Sequence, residues 1–188
     1  FAGVLRASAT LPFAQVLPQS VLIGETHTLQ VFFKTGSAVS AQGAVEVEAP
    51  SGFSLSGCAL DLPEWIYRNG DTPSIVSTER LPLVQGCTVL ASPPRVQVSL
   101  GRPLQEATSY AFGLTVDNPL TQNAQEDQLL WMVRTYNESM VLVDESDGGA
   151  AWLDAIPGTD AGRAWGLASQ ALAAPQLRWG ELLPFFFT

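Results

Sequence analysis

Four apolar residues at alternate positions, Tyr110, Phe112, Leu114 and Val116, run up to Asp117-Asn118-Pro119 and stop there. A period of two puts all four on one face of a strand, and Pro119 ends it, because proline cannot donate to a ladder and restricts the residue before it. The pattern recurs. Leu29, Val31 and Phe33 alternate within 26–35, with His27 in phase near the start of that strand. Ala44-Val45-Glu46-Val47-Glu48 turns valines one way and glutamates the other before the turn Pro50-Ser51-Gly52, and Phe53 and Leu55 lead into Cys58. Cys87-Thr88-Val89-Leu90 and 95–100 follow, then 129–136 and 140–143 as a hairpin around Asn137-Glu138-Ser139; 74–79 is a weaker strand. Strands spaced roughly ten residues apart, without long amphipathic helices between them, predict an all-β fold of two antiparallel sheets packed face to face.

This β-rich unit is expected to span residues 24–145. The stretch 1–23 reads as an N-terminal arm or linker strand, and 146–188 as a C-terminal arm broken by Gly148-Gly149 and Pro157-Gly158. Within that arm the alanine-rich 161–174 predicts one short helix or an irregular segment lying on a sheet. The loop 63–73 reads as a Pro, Asn and Gly-rich excursion. No repeat is found within the 188 residues.

Composition narrows the function classes. The net charge is −9, with nine basic residues of which Lys34 is the only lysine, and such a chain lacks the basic clusters that release counterions from a phosphate backbone. Nucleic acid is not an expected partner. No apolar run approaches the ~20 residues of a membrane-spanning helix. With 46% apolar and only 14% charged residues, some apolar surface is expected to meet a neighbour. Phe1, Phe13, Trp179, Phe185, Phe186 and Phe187 are the candidates for contact between units, since both ends are apolar. The chain starts without an initiator Met or a leader and reads as a mature or excised piece of something larger.

Chemistry-bearing motifs are few. Cys58 and Cys87 each border a strand; a disulfide between them would contribute about 3 to 4 kcal/mol by loop closure, the alternative being two buried free thiols. No Cys-x-x-Cys is present, so zinc and redox catalysis lack support. Asn137-Glu138-Ser139 satisfies the N-glycosylation acceptor rule. Together with the disulfide it points to an extracellular or cell-surface protein. The single histidine, His27, sits among apolar positions and makes a catalytic triad improbable; Gly52-Phe53-Ser54-Leu55-Ser56 lacks the second glycine of a nucleophile elbow. Asp144, Glu145 and Asp147, with Asp154 and Asp160 nearby, could offer oxygens to Ca2+, although a solvated acidic turn is the simpler reading. No other cofactor is expected. Trp65, Trp131, Trp152, Trp165 and Trp179 could stack on sugars, or serve packing, with Trp131 the least suited to a sugar.

The succession Leu29-Gln-Val-Phe-Phe, Val45-Glu-Val-Glu-Ala-Pro-Ser-Gly-Phe53, Cys58, Cys87 and Tyr110-Ala-Phe-Gly-Leu-Thr-Val-Asp-Asn118-Pro119 resembles repeated domains of very large extracellular proteins of dinoflagellates and related protists. The resemblance covers about 26–136. It implies an immunoglobulin-like sandwich with a structural or adhesive, non-catalytic role in a fibre or at the cell surface, partnered by neighbouring copies or other domains of one assembly. The alternative is a carbohydrate-binding module, calcium-assisted, that uses Trp65 or Trp152 with the Asp144–Asp147 stretch.

Overall fold

A computed structural model describes residues 9–69, 77–121 and 130–150. Eleven strands and one helix follow in order: β1 (Ala9–Thr10), β2 (Phe13–Pro18), β3 (Thr26–Lys34), β4 (Ala44–Glu48), β5 (Ser54–Gly57), α1 (Glu64–Asn69), β6 (Glu79–Arg80), β7 (Val84–Ala91), β8 (Pro94–Leu100), β9 (Ser109–Asp117), β10 (Leu130–Tyr136) and β11 (Leu142–Ala150). They form two sheets, ordered β1-β11-β10-β4-β8-β7 and β2-β3-β9-β5, with β6 beside β9. Pairing is antiparallel except for β1 on β11 and β6 on β9. The all-β sandwich read from the alternation is the architecture observed, with one short helix.

Alternation explains the core directly. Leu29, Val31 and Phe33 of β3 and Tyr110, Phe112, Leu114 and Val116 of β9 meet Val45, Val47, Val96, Val98, Trp131 and Val133 from the other sheet, all of them buried. Phe33 lies edge-on to Phe112 at 6.3 Å between ring centroids, and Phe53 edge-on to Trp131 at 5.3 Å, the geometry aromatic quadrupoles prefer.

Phe32 breaks the simple alternation, because it points away from this core yet is also buried. The reason is α1, whose Ile66 and Tyr67 pack with Leu62 on Phe32 and Ala111, giving the five-stranded sheet a second apolar face. Glu64 in the first turn and Arg68 in the last suit the helix dipole. Close approach of this cover requires Gly113: a Cβ there would fall 2.1 Å from the Ala59 carbonyl oxygen. The helix therefore occupies the excursion after Pro63. The 161–174 helix expected from alanine content lies outside the described residues, as do residues 74–76 of the weak strand 74–79; of its described residues only Glu79 is in a strand, β6.

At the termini, β1 and β2 precede residue 24 and belong to different sheets, while β11 continues past 145 to Ala150. The prolines of the N-terminal stretch sit where strands tolerate them. Pro12 lies in the passage between sheets, and Pro18 closes the edge strand β2. Residues 1–8 and 151–188, with Phe1, Trp179, Phe185, Phe186 and Phe187, lie outside the described residues.

Candidate functional site

Two devices close the open sides of the sandwich. On one side the chain itself steps between sheets through Leu11-Pro12, and β2 lies over β11, where a Cβ on Gly148 would fall 2.7 Å from Val16 Cγ2. On the other side the edge strands β5 and β7 face each other. Cys58, just after β5, is joined to Cys87 of β7 by a disulfide with a Cα–Cα distance of 6.5 Å across 29 positions. Cys87 opposes Val98 in register and so turns toward the interior side of its sheet.

The outer face of the six-stranded sheet carries an ion array. Arg134 of β10 stands between Glu46 of β4 and Glu145 of β11 in the pairing register. Its guanidinium reaches Glu48 at 2.5 Å, Glu46 at 3.3 Å and Glu145 at 3.4 Å. Glu46 also receives the Tyr136 hydroxyl at 3.1 Å and lies 3.7 Å from Arg95 of β8, so this carboxylate is only 4% exposed on a face with no covering layer among the described residues. Burial pulls the Arg134 proton affinity down, and the hydrogen bond and charge of Glu48 more than offset it, leaving its pKa above the ordinary arginine value. Burial first, and then Glu46, raises that of Tyr136. An array of this kind ties β8, β4, β10 and β11 in register. Every carboxylate in it is engaged by an arginine.

Asn137 sits in the turn from β10 to β11. Its Oδ1 accepts from the backbone N–H of Ser139 at 3.0 Å and of Val141 at 2.9 Å, and Met140 takes φ 57° to complete the turn. Glu138 and Ser139 are exposed. Among the described residues nothing hydrogen-bonds Nδ2, the atom to which a glycan is attached.

The acidic run departs from expectation. Asp144, Glu145 and Asp147 lie along β11, where neighbours face opposite ways, and not in an exposed turn. Asp144 points inward, fully buried, and its Oδ2 accepts the backbone N–H groups of Gly36 at 3.2 Å and Ser37 at 3.0 Å. Glu145 points outward to Arg134. Strand alternation thus puts Asp144 on the face opposite Glu145 and Asp147. Among the described residues no three His, Cys, Asp or Glu side chains converge as a metal site. Asp154 and Asp160 lie outside those residues.

The remaining candidates scatter. His27 places its ring nitrogens 3.1 Å from the Thr28 carbonyl and from Asn118 Oδ1, bridging the start of β3 to the end of β9. Phe13 is half-buried against the cluster under α1, so most of its ring serves this sandwich. Trp131 is in the core, while Trp65 on α1 is 51% exposed. Trp152, Trp165 and Trp179 lie outside the described residues. The ion array was missed from sequence. Glu46 and Glu48 were visible as outward positions, but their partners on β8, β10 and β11 are set by register, which a single sequence does not display.

No family model and no curated protein matches this chain. Among solved structures it is similar to a chain in the crystal structure of a dockerin–cohesin complex, CaDoc0917–CaCohA2 at pH 5.5, with 12% identity, 72% of this chain and 97% of that one covered, and a TM-score of 0.34. No helix of the described residues is long and apolar enough to cross a membrane.

Proposed function

We propose that this chain is a non-catalytic structural or adhesive unit of a large extracellular or cell-surface protein that assembles into a fibre or filament. The observation that carries the reading is the double closure of the sandwich, by a covalent bond between edge strands on one side and by the chain's own crossing on the other. Such a unit resists opening of its sheets, which suits a load-bearing or display role, and disulfides persist in oxidising compartments. The free Nδ2 of Asn137 in an exposed turn supports a glycan at that position. Apolar ends would contact neighbouring units.

Intact-mass analysis of the native protein, with and without reduction, followed by peptide mapping, tests the proposal. It expects a mass gain of about two hydrogens on reduction at Cys58 and Cys87, a hexose-bearing Asn137 within a longer parent, and loss of that glycan in Ser139→Ala. Free thiols and a bare Asn137 would refute it. A second reading, a carbohydrate-binding module, is favoured by the half-exposed indole of Trp65. Glycan-array binding in the presence of calcium that disappears in Trp65→Ala would establish it; an array without any hit would dispose of it.

A further inference from the structure

The outer edge of β7 is a surface that neither the ion array nor the disulfide accounts for. β7 pairs with β8 from Val84 opposite Leu100 to Ala91 opposite Pro94. Among the described residues no other backbone group bonds it, so alternate N–H and C=O groups point away from the sheet. The other edges offer less. β1 and β6 have two residues each and β5 four, while β2 ends in Pro18 and packs on β11. β7 has eight residues. Proteins blunt such edges with lysine, proline or a bulge; β7 has only a bulge, between Val84 and Gly86, and is regular from Cys87 to Ala91. No charged residue occurs from Leu81 to Pro94. Leu83 is 59% exposed and Val89 43%. The disulfide holds the strand in place, so pairing would order little that is not already ordered.

We infer that β7 pairs with β7 of a second copy of this chain, antiparallel about a two-fold axis, joining two six-stranded sheets into one. The inference rests on the assembly reading and names one of its contacts. Open backbone groups along an edge are matched by an extended strand. Each copy carries a net charge of −9, so approach is opposed wherever carboxylates gather, and the uncharged Leu81–Pro94 stretch is free of that repulsion. An antiparallel two-fold also directs the exposed Leu83 end of one strand toward the exposed, uncharged Ser92-Pro93 end of the other, and lets one patch serve both sides.

Sedimentation equilibrium and amide exchange on the full chain, over concentrations up to about 1 mM, test the pairing. Thr88 is exposed and opposes Gln97 on the outer face, so Thr88→Lys leaves the monomer's melting temperature unchanged while setting like charges near one another at the two-fold. The expected result is a dimer weakened about tenfold or more by Thr88→Lys, untouched by Leu22→Lys at an exposed position between β2 and β3 of the other sheet, with 87–91 amides gaining protection as concentration rises. A monomer throughout, or a dimer indifferent to Thr88→Lys, overturns the inference. Equal protection of 87–91 at every concentration does so too, since another part of the same chain would then cover the edge. Assembly that Thr88→Lys does not alter defeats this pairing and leaves the assembly reading standing, whereas free thiols and a bare Asn137 in the native protein defeat that reading and not the dimer.

Discussion

Replacing both cysteines, Cys58→Ala with Cys87→Ala, removes a crosslink that closes 29 positions of chain. In the loop-entropy account this returns about 12 cal/mol/K to the unfolded ensemble, about 3.6 kcal/mol at room temperature. Packing adds little to the loss, because Cys87 is exposed and Cys58 only half-buried. Against a total stability of about 5–15 kcal/mol the change is large. With a urea slope near 2 kcal/mol/M, the unfolding midpoint should fall by about 1.8 M, and the slope should rise slightly as the unfolded chain expands. Exchange protection should fall first in β5 and β7, since both are edge strands whose side of the sandwich has no other closure among the described residues. A midpoint shift below about 0.5 M, with β7 amides still protected, would refute the view that the bond closes this side of the fold.

Three further outcomes follow from the packing and the charges. Gly113→Ala should destabilise by about 1–3 kcal/mol or more, because the new Cβ meets the Ala59 carbonyl, and the change should loosen 59–69 while the central core keeps its near-ultraviolet dichroism. Asp144→Ala should cost about 1–3 kcal/mol by stranding the Gly36 and Ser37 N–H groups, and Asp144→Asn less, measured by urea unfolding; equal stability of both variants and the parent would contradict the assigned role. All three tyrosines hold their protons more tightly than the usual 10.0: burial raises Tyr67, Tyr110 and Tyr136, with Glu46 adding to the last. Their contribution is therefore complete below pH 10 and is lost as pH climbs through the raised folded values. Tyrosinate absorbance of the folded protein should appear only above the pH at which the urea-unfolded chain titrates; coincident curves would rule this out.

How much of this was legible in the chain depends on which physical signal each element carries. β3, β4, β8 and β9 announce themselves by period two because each buries one face against the opposite sheet. The disulfide followed from two cysteines bordering strands. α1 was not legible: six residues are too few to show a helical period, and the helix is held by tertiary packing on Phe32 and Ala111. β11 was misread because Asp-Glu-Ser-Asp-Gly-Gly has the composition of a turn. Arg134 and the backbone of Gly36-Ser37 engage the carboxylates that make it look solvated. Register decided both the ion array and the fate of Asp144, and register is a property of pairs of strands.

The placement of β1 beside β11 has a consequence for the order in which this chain can be made. β2, β3, β5 and β9 can form their sheet, and β4, β7 and β8 part of the other, once about residue 121 has emerged from the ribosome. β10 and β11 arrive last, and only then do Ala9 and Thr10 find their partners at Asp144 and Glu145. Until that moment the nascent sandwich leaves the edge of β4 that β10 will pair with, and the Gly36–Ser37 amides, open to solvent. A chain built this way folds slowly, as long-range pairings do, and is vulnerable to wrong strand pairing while synthesis continues. A released chain that ended at residue 141 would lack β11 and leave Ala9 and Thr10 unpaired, and nine further residues would supply the whole strand.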